Sequence, residues 1–226
     1  MSTLYIVATP IGNLQDVTLR ALETLKGVDL ILCEDTRQTK KLLERYQITV
    51  PTMSYHQYSK MQKIEEILIR LADGKNLALV SDAGTPGIAD PGNYLVKKVA
   101  EHFGQEVQIV PIPGPAALTT LAAVSGLPTD QFLFLGFLPH KKGRQTLIKE
   151  IISSERAIIL YESTHRIHKL LNELVSFGLG ERQLVLGREL TKQFETIYRG
   201  SAAEILQQLE ATSSKGEFTV VVQGRK

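Results

Sequence analysis

Short apolar runs alternate with amphipathic stretches through the first half of the chain, and nearly every run ends in a loop rich in Gly, Pro or Asp. That alternation is the mark of βαβ units and leaves a mainly parallel sheet as the natural fold of this half. Strands are expected at 4–8, 30–33, 77–81 and 107–110, with helices near 16–25, 36–43, 61–71 and 92–101. The third helix places Ile64, Ile67, Leu68 and Leu71 on one face. The segment Pro111-Ile112-Pro113-Gly114-Pro115 breaks the pattern and opens a helix of small residues through Ala116, Ala117 and Ala122, so a domain boundary is expected there, dividing the chain into 1–113 and 114–226. Beyond it, strands are expected near 132–136, 157–161, 184–187, 196–198 and 218–222. Two of these are late and close together, which points to a mixed sheet. The expected class is α/β, with two α/β domains.

The densest loop is Ser81-Asp82-Ala83-Gly84-Thr85-Pro86-Gly87-Ile88-Ala89-Asp90-Pro91-Gly92, directly after the apolar Leu77-Ala78-Leu79-Val80. Its three glycines let backbone approach a bound molecule, its two prolines stiffen it, and its two aspartates set acceptors beside free amide donors. Sheets of this class bind ligands outside the carboxyl ends of their strands. An ordinary turn with an N-cap before the helix near Pro91 is the plainer reading.

Composition excludes several classes. At 226 residues, 43% hydrophobic and 22% charged, the chain suits one large or two small globular domains. Its apolar runs are too short to cross a bilayer and its start leads straight into a strand, so a cytoplasmic protein without membrane contact is expected. Cys33 is the single cysteine; an internal disulfide and a cysteine-based zinc site are out, no metal-ligand spacing is present, and a buried structural thiol is expected. The net charge of +2 does not announce nucleic acid by itself. After the first strand, Thr9-Pro10-Ile11-Gly12-Asn13-Leu14 lacks GxGxxG, and the chain holds neither GxxxxGK[ST] nor G-x-S-x-G.

Eight ordered loop motifs remain: 9–14, Glu34-Asp35-Thr36-Arg37, 81–92, Pro113-Gly114-Pro115, Gly136-Phe137-Leu138-Pro139, Tyr161-Glu162-Ser163-Thr164-His165-Arg166, Arg188-Glu189-Leu190-Thr191-Lys192 and Lys215-Gly216-Glu217-Phe218. Together they resemble the ribosomal RNA small subunit methyltransferase I branch of the tetrapyrrole methylase superfamily, from Tyr5 to about Val222. The resemblance implies an S-adenosylmethionine-dependent enzyme that methylates the ribose 2′-hydroxyl of a cytidine in the decoding region of 16S rRNA. It further implies a homodimer, with the cofactor cleft between the two α/β domains. By the same resemblance Gly84, Thr85 and Ile88 line the methionine and ribose end, Ala116 and Ala117 admit the ligand closely, and Leu138, Glu162 and Glu217 complete the pocket. Asp82 either joins that pocket or caps its loop.

S-adenosylmethionine carries no phosphate, so its site needs donors for a carboxylate, acceptors for an ammonium and an apolar slot for adenine, and these loops offer such groups. Methyl transfer to a ribose hydroxyl gains from a positioned base, or from a cation that stabilises the developing alkoxide. Lys192 with Glu189 is one candidate pair, and Glu34, Asp35 and Arg37 form another; solvated ends or structural ion pairs are the plain alternative. RNA contact is expected of Arg37, Lys141, Lys142, Arg144, His165 and Arg166, basic residues in or beside loops. Thr164 stands where the family commonly has proline. The chain stops soon after its last strand, whereas many relatives carry a small extra C-terminal domain, and donor binding is expected not to need it. A methyltransferase of tetrapyrrole precursors would share the donor loops, but those relatives typically show a GxGPGD-like first loop, absent here. A catalytically silent RNA-binding assembly protein is the remaining alternative.

Overall fold

The computed structural model describes residues 1–56 and 61–225. The chain forms two compact units, Met1–Ala116 and Ala117–Lys226. The division falls within the small-residue stretch after the Pro113-Gly114-Pro115 turn, against the 113/114 break read from the sequence.

The first unit is built on a parallel sheet of β1 (Thr3–Val7), β2 (Leu30–Cys33), β3 (Thr52–Ser54), β4 (Leu77–Leu79) and β5 (Gln108–Ile112), in the order β3-β2-β4-β1-β5. All four residues of β2 are buried, as strands covered on both faces require. Alternation along the strands splits the core in two. Leu4, Leu32, Leu77 and Leu79 pack with α3 (Met61–Ala72) and α4 (Asn93–Phe103). Val7, Ile31, Cys33, Ala78 and Val80 pack with α1 (Leu19–Gly27) and α2 (Thr36–Arg45). Cys33 is a fully buried thiol whose pKa burial raises, in keeping with a structural role. The helix expected from residue 16 begins later: Leu14–Asp16 is a 3₁₀ turn, and Thr18 caps α1 by accepting from the Ala21 amide at 3.1 Å.

The second unit opens with α5 (Ala117–Ser125) and builds a mixed sheet from β6 (Phe132–Phe137), β7 (Ala157–Ser163), β8 (Leu184–Arg188), β9 (Thr196–Gly200) and β10 (Glu217–Val222). The order is β6-β7-β10-β8-β9; β6 pairs parallel with β7, and the other pairs are antiparallel. The helices α6 (Arg144–Ser153), α7 (Ile167–Ser176) and α8 (Ala202–Ala211) supply Ile148, Ile151, Leu170, Leu174 and Ile205 to one core with Leu160, Leu186 and Val220. Ser201 and Glu204 start α8 with a reciprocal capping box.

Candidate active site

In the first unit every strand is parallel, so the loops that follow them gather along one edge of the sheet. The adjacent strands β2 and β4 feed connections that diverge, β2 outward to β3 and β4 past β1 to β5. Such a switch point opens a crevice at the carboxyl edge of a sheet. Two loops are tied there: the Thr9 amide donates to Gly84 O at 2.9 Å and the Gly84 amide to Thr9 O at 3.0 Å. The Thr9 hydroxyl donates to Ser81 O at 3.1 Å, and the Thr85 hydroxyl to Pro115 O at 3.1 Å, which joins the loop after β5 to the same cluster. Gly84 has φ +85°, and a Cβ on it would stand 3.4 Å from Ile11 Cγ2; a side chain would be strained there. Asp82 stays exposed, with Oδ1 accepting from the Asp35 amide at 3.0 Å, and Ile88 is also exposed. Thr85 and Ala116 are half-buried. Of the expected cofactor residues, Asp82, Gly84, Thr85, Ile88 and Ala116 therefore belong to this unit, with Ala117, Leu138, Glu162 and Glu217 in the other.

The electrostatics of this edge are unusual. Burial, then the charges of Asp90 and Asp82, push the Glu34 carboxyl up to about 7. Burial, then Asp82, lift Asp90 to about 6 against a hydrogen bond with Ser81. Burial is thus the main cause of both shifts, and like charge from the loop after β4 adds to it. Asp35 differs: its hydrogen bonds with Arg37, at 2.7 and 3.0 Å to the guanidinium, hold it down at about 2 on the exposed surface. The sequence singled out Glu34 only together with Asp35 and Arg37, and Asp90 only as one of the loop's acceptors; in the structure the charges that act on Glu34 are those of Asp90 and Asp82.

In the second unit the charges are matched. Lys192 Nζ lies 2.9 Å from Glu189 Oε1 and 2.8 Å from Glu217 Oε2, and the Glu217 amide donates to the same Glu189 oxygen at 2.8 Å. Burial alone would depress the ammonium, but the hydrogen bonds with Glu217 and Glu189 outweigh it and leave the pKa raised. Burial likewise opposes the charge on Glu189, and the Glu217 amide and Lys192 overcome it and leave Glu189 lowered. Both members of the expected catalytic pair are therefore ionised at neutral pH. Lys192 is a fixed cation here and cannot act as the base.

Glu162, expected in the cofactor pocket, lies in a buried ion-pair network. It is 1% exposed, with Oε1 2.7 Å from Arg166 Nε and Oε2 3.5 Å from Arg144 Nη1. Arg144 and Arg166, expected on RNA, belong to the same network. Arg144 is 2% exposed and also bonds Glu173 at 2.7 Å; Arg166 donates to Leu138 O at 2.7 Å. A charge this deep needs partners, and both guanidiniums find carboxylates inside the unit, although Arg144 Nη2 and Glu162 Oε2 are buried without a hydrogen bond. The Leu138 side chain is part of the core, so only its backbone can meet a ligand. Lys141, Lys142 and His165 remain exposed beside this network, and Arg37 is exposed on its Asp35 partner. Among the described residues no group of three or more His, Cys, Asp or Glu side chains is arranged to hold a metal ion.

Residues 3–206 match the family model for tetrapyrrole (corrin/porphyrin) methylases. The chain is similar to proteins named ribosomal RNA small subunit methyltransferase I. That of Synechocystis sp. is 48% identical over 99% of this chain and 80% of its own length; that of Thermotoga maritima is 45% identical over the whole of both. The counterpart from Escherichia coli O157:H7 is 47% identical over 99% of this chain and 78% of its own. Among solved structures, a cobalt precorrin-4 methyltransferase superposes with a TM-score of 0.71 at 16% identity, covering 98% of this chain and 94% of its own. A diphthine synthase does so with 0.71 at 15%, covering 99% and 90%. At those identities the structures speak for the fold alone.

Proposed function

The chain belongs to the tetrapyrrole (corrin/porphyrin) methylase family, and from that premise we propose that it is an S-adenosylmethionine-dependent methyltransferase acting on small-subunit ribosomal RNA. The acceptor we assign is the ribose 2′-hydroxyl of a cytidine in the 16S decoding region, and the working form a cytoplasmic homodimer. Among the described residues no helix is long and apolar enough to cross a membrane. The relatives named for ribosomal RNA favour this reading over a tetrapyrrole substrate, since they match at 43–48% identity along nearly the full chain.

The observation that carries the donor assignment is the crowding of Glu34, Asp82 and Asp90 at the carboxyl edge of the first sheet. Half-buried carboxyl groups with further negative charge beside them are suited to receive positive charge, and a cation there would offset both their burial and the like charge. S-adenosylmethionine fits that demand: it carries an ammonium and a sulfonium, and it supplies an electrophilic methyl group. Gly84 and Thr85 keep the loop backbone close to such a ligand, and Ile88 offers it apolar surface. Of the cofactor residues expected in the second unit, Ala117 and Glu217 retain that role, with Leu138 through its backbone. Lys192, held as an ammonium by Glu189 and Glu217, is assigned to stabilise the developing alkoxide rather than to take its proton. Lys141, Lys142, His165 and Arg37 are assigned to RNA phosphates.

Labelled S-adenosylmethionine, small ribosomal subunits lacking the modification and nucleoside analysis test the assignment together. Label in 2′-O-methylcytidine is expected. Label only in a tetrapyrrole precursor offered in parallel would move the chain to the other branch of its family.

A further inference from the structure

The loop that presents Lys192 is held in a shape its own residues disfavour. Glu189 has φ 50° and Thr191 φ 66°, left-handed backbone at two residues that carry side chains. Such a conformation persists where the surroundings over-determine it. Part of that restraint comes from the adjoining segment at the start of β10. The Glu189 amide donates to Glu217 O at 2.9 Å, Arg188 Nε donates to Lys215 O at 2.7 Å, and the Glu217 amide returns a bond to Glu189 Oε1 at 2.8 Å. Between them lies Gly216, with φ +128°. A Cβ there would stand 2.5 Å from Glu189 Cγ, so the bare peptide is pressed against the side chain that holds Lys192.

One side chain grips that peptide from the other side. The Thr164 hydroxyl, just past the end of β7, donates to Gly216 O at 2.6 Å and accepts from the Gly216 amide at 2.7 Å. A single hydroxyl thus satisfies both polar groups of Gly216 and fixes the plane against which Glu189 rests. We infer that Thr164 is a positioning residue for the Lys192 ammonium, acting through Gly216 and the Glu189 and Glu217 carboxylates. A proline at this position has no hydroxyl and could make neither bond. The catalytic consequence rests on the reading of Lys192 as the cation beside the acceptor oxygen; the positional claim does not.

The test uses the full chain in single-turnover methyl transfer to small subunits lacking the modification, at saturating donor. Thr164→Val and Thr164→Ala remove the hydroxyl, and Thr164→Ser keeps it. The variants without it should lose roughly threefold to tenfold in rate, the scale of one misplaced hydrogen bond; Thr164→Ser should recover the rate. Combined with Lys192→Met, Thr164→Val should add no further loss. Titration of the Lys192 amine by NMR gives a direct readout: with its carboxylates loosened, burial should win and the midpoint should fall in Thr164→Val but not in Thr164→Ser. An unmoved midpoint, or an equal loss of rate on top of Lys192→Met, would overturn the inference. If Lys192→Met itself transfers methyl at the wild-type rate, the catalytic reading of Lys192 fails, and the NMR midpoint still decides whether Thr164 positions it.

Discussion

The two units handle charge in opposite ways. At the carboxyl edge of the first sheet, Glu34 and Asp90 are lifted toward neutral pH by burial and by neighbouring carboxylate charge, that of Asp82 included. In the second unit Glu162 sits between Arg144 and Arg166, and Lys192 between Glu189 and Glu217. Matched charge serves the framework: it is compensated before any ligand arrives, and removing one partner strands the other. Crowded like charge serves no framework, because the fold would be more stable without it. Its place beside Gly84 and Thr85 is what supports the proposal that positive charge is bound there.

The contrast is easiest to break at Glu162. Replacing it by alanine leaves the buried Arg144 and the half-buried Arg166 without their shared carboxylate, and a loss of about 3–5 kcal/mol is expected in urea denaturation. A loss under about 1 kcal/mol would mean that the second unit does not depend on its matched charges. Lys192→Met is next and should act on rate rather than stability. Single-turnover transfer should fall by on the order of 10²–10³, the effect of removing one preorganised stabiliser of a developing oxyanion, with donor affinity preserved.

The first unit should answer in the opposite sense. Asp82→Ala and Glu34→Gln should each weaken donor binding by roughly tenfold or more in calorimetry without destabilising the fold. The pH dependence of stability sharpens the point. Glu34 and Asp90 have folded pKa values above their unfolded ones, so the native state binds more protons between about 4 and 7, and stability should decline as pH rises through that window. Thermal melts of Glu34→Gln across the same range should show a shallower decline than wild type; parallel curves would remove Glu34 from the cluster. The smallest effect is expected at the surface. Lys141→Ala with Lys142→Ala should flatten the salt dependence of RNA binding by roughly one unit of slope per lysine, and an unaltered slope would exclude this loop as a phosphate contact.

Much of the fold was legible because its strands are apolar runs closed by Gly and Pro. The strand β3 was not, since three half-buried residues at a sheet edge, Thr52, Met53 and Ser54, carry no readable period. The 81–92 loop stood out through composition, and the Thr9 and Gly84 pairing through nothing, as it joins residues far apart in sequence. Arg144 misled for the same reason. In the run His140-Lys141-Lys142-Gly143-Arg144 it reads as one more surface base, and its burial depends on Glu162 and Glu173, which only folding brings near. The perturbed carboxyl of Glu34 likewise depends on burial, and then on Asp90 and Asp82, which arrive from the loop after another strand. Chemistry written in a single loop can be read from the chain; chemistry made by two loops meeting cannot.

The central claim is that the crowded carboxyl groups of the first unit receive the donor's positive charge. Calorimetric titration of S-adenosylmethionine between pH 5 and 7, in two buffers of different ionisation enthalpy, tests it most directly, because an α-amino group of pKa about 7.7–8.0 stays protonated through that window. Affinity should tighten as pH rises, with protons released on binding, and both effects should shrink in Glu34→Gln. An affinity independent of pH, with no proton exchanged, would contradict the account.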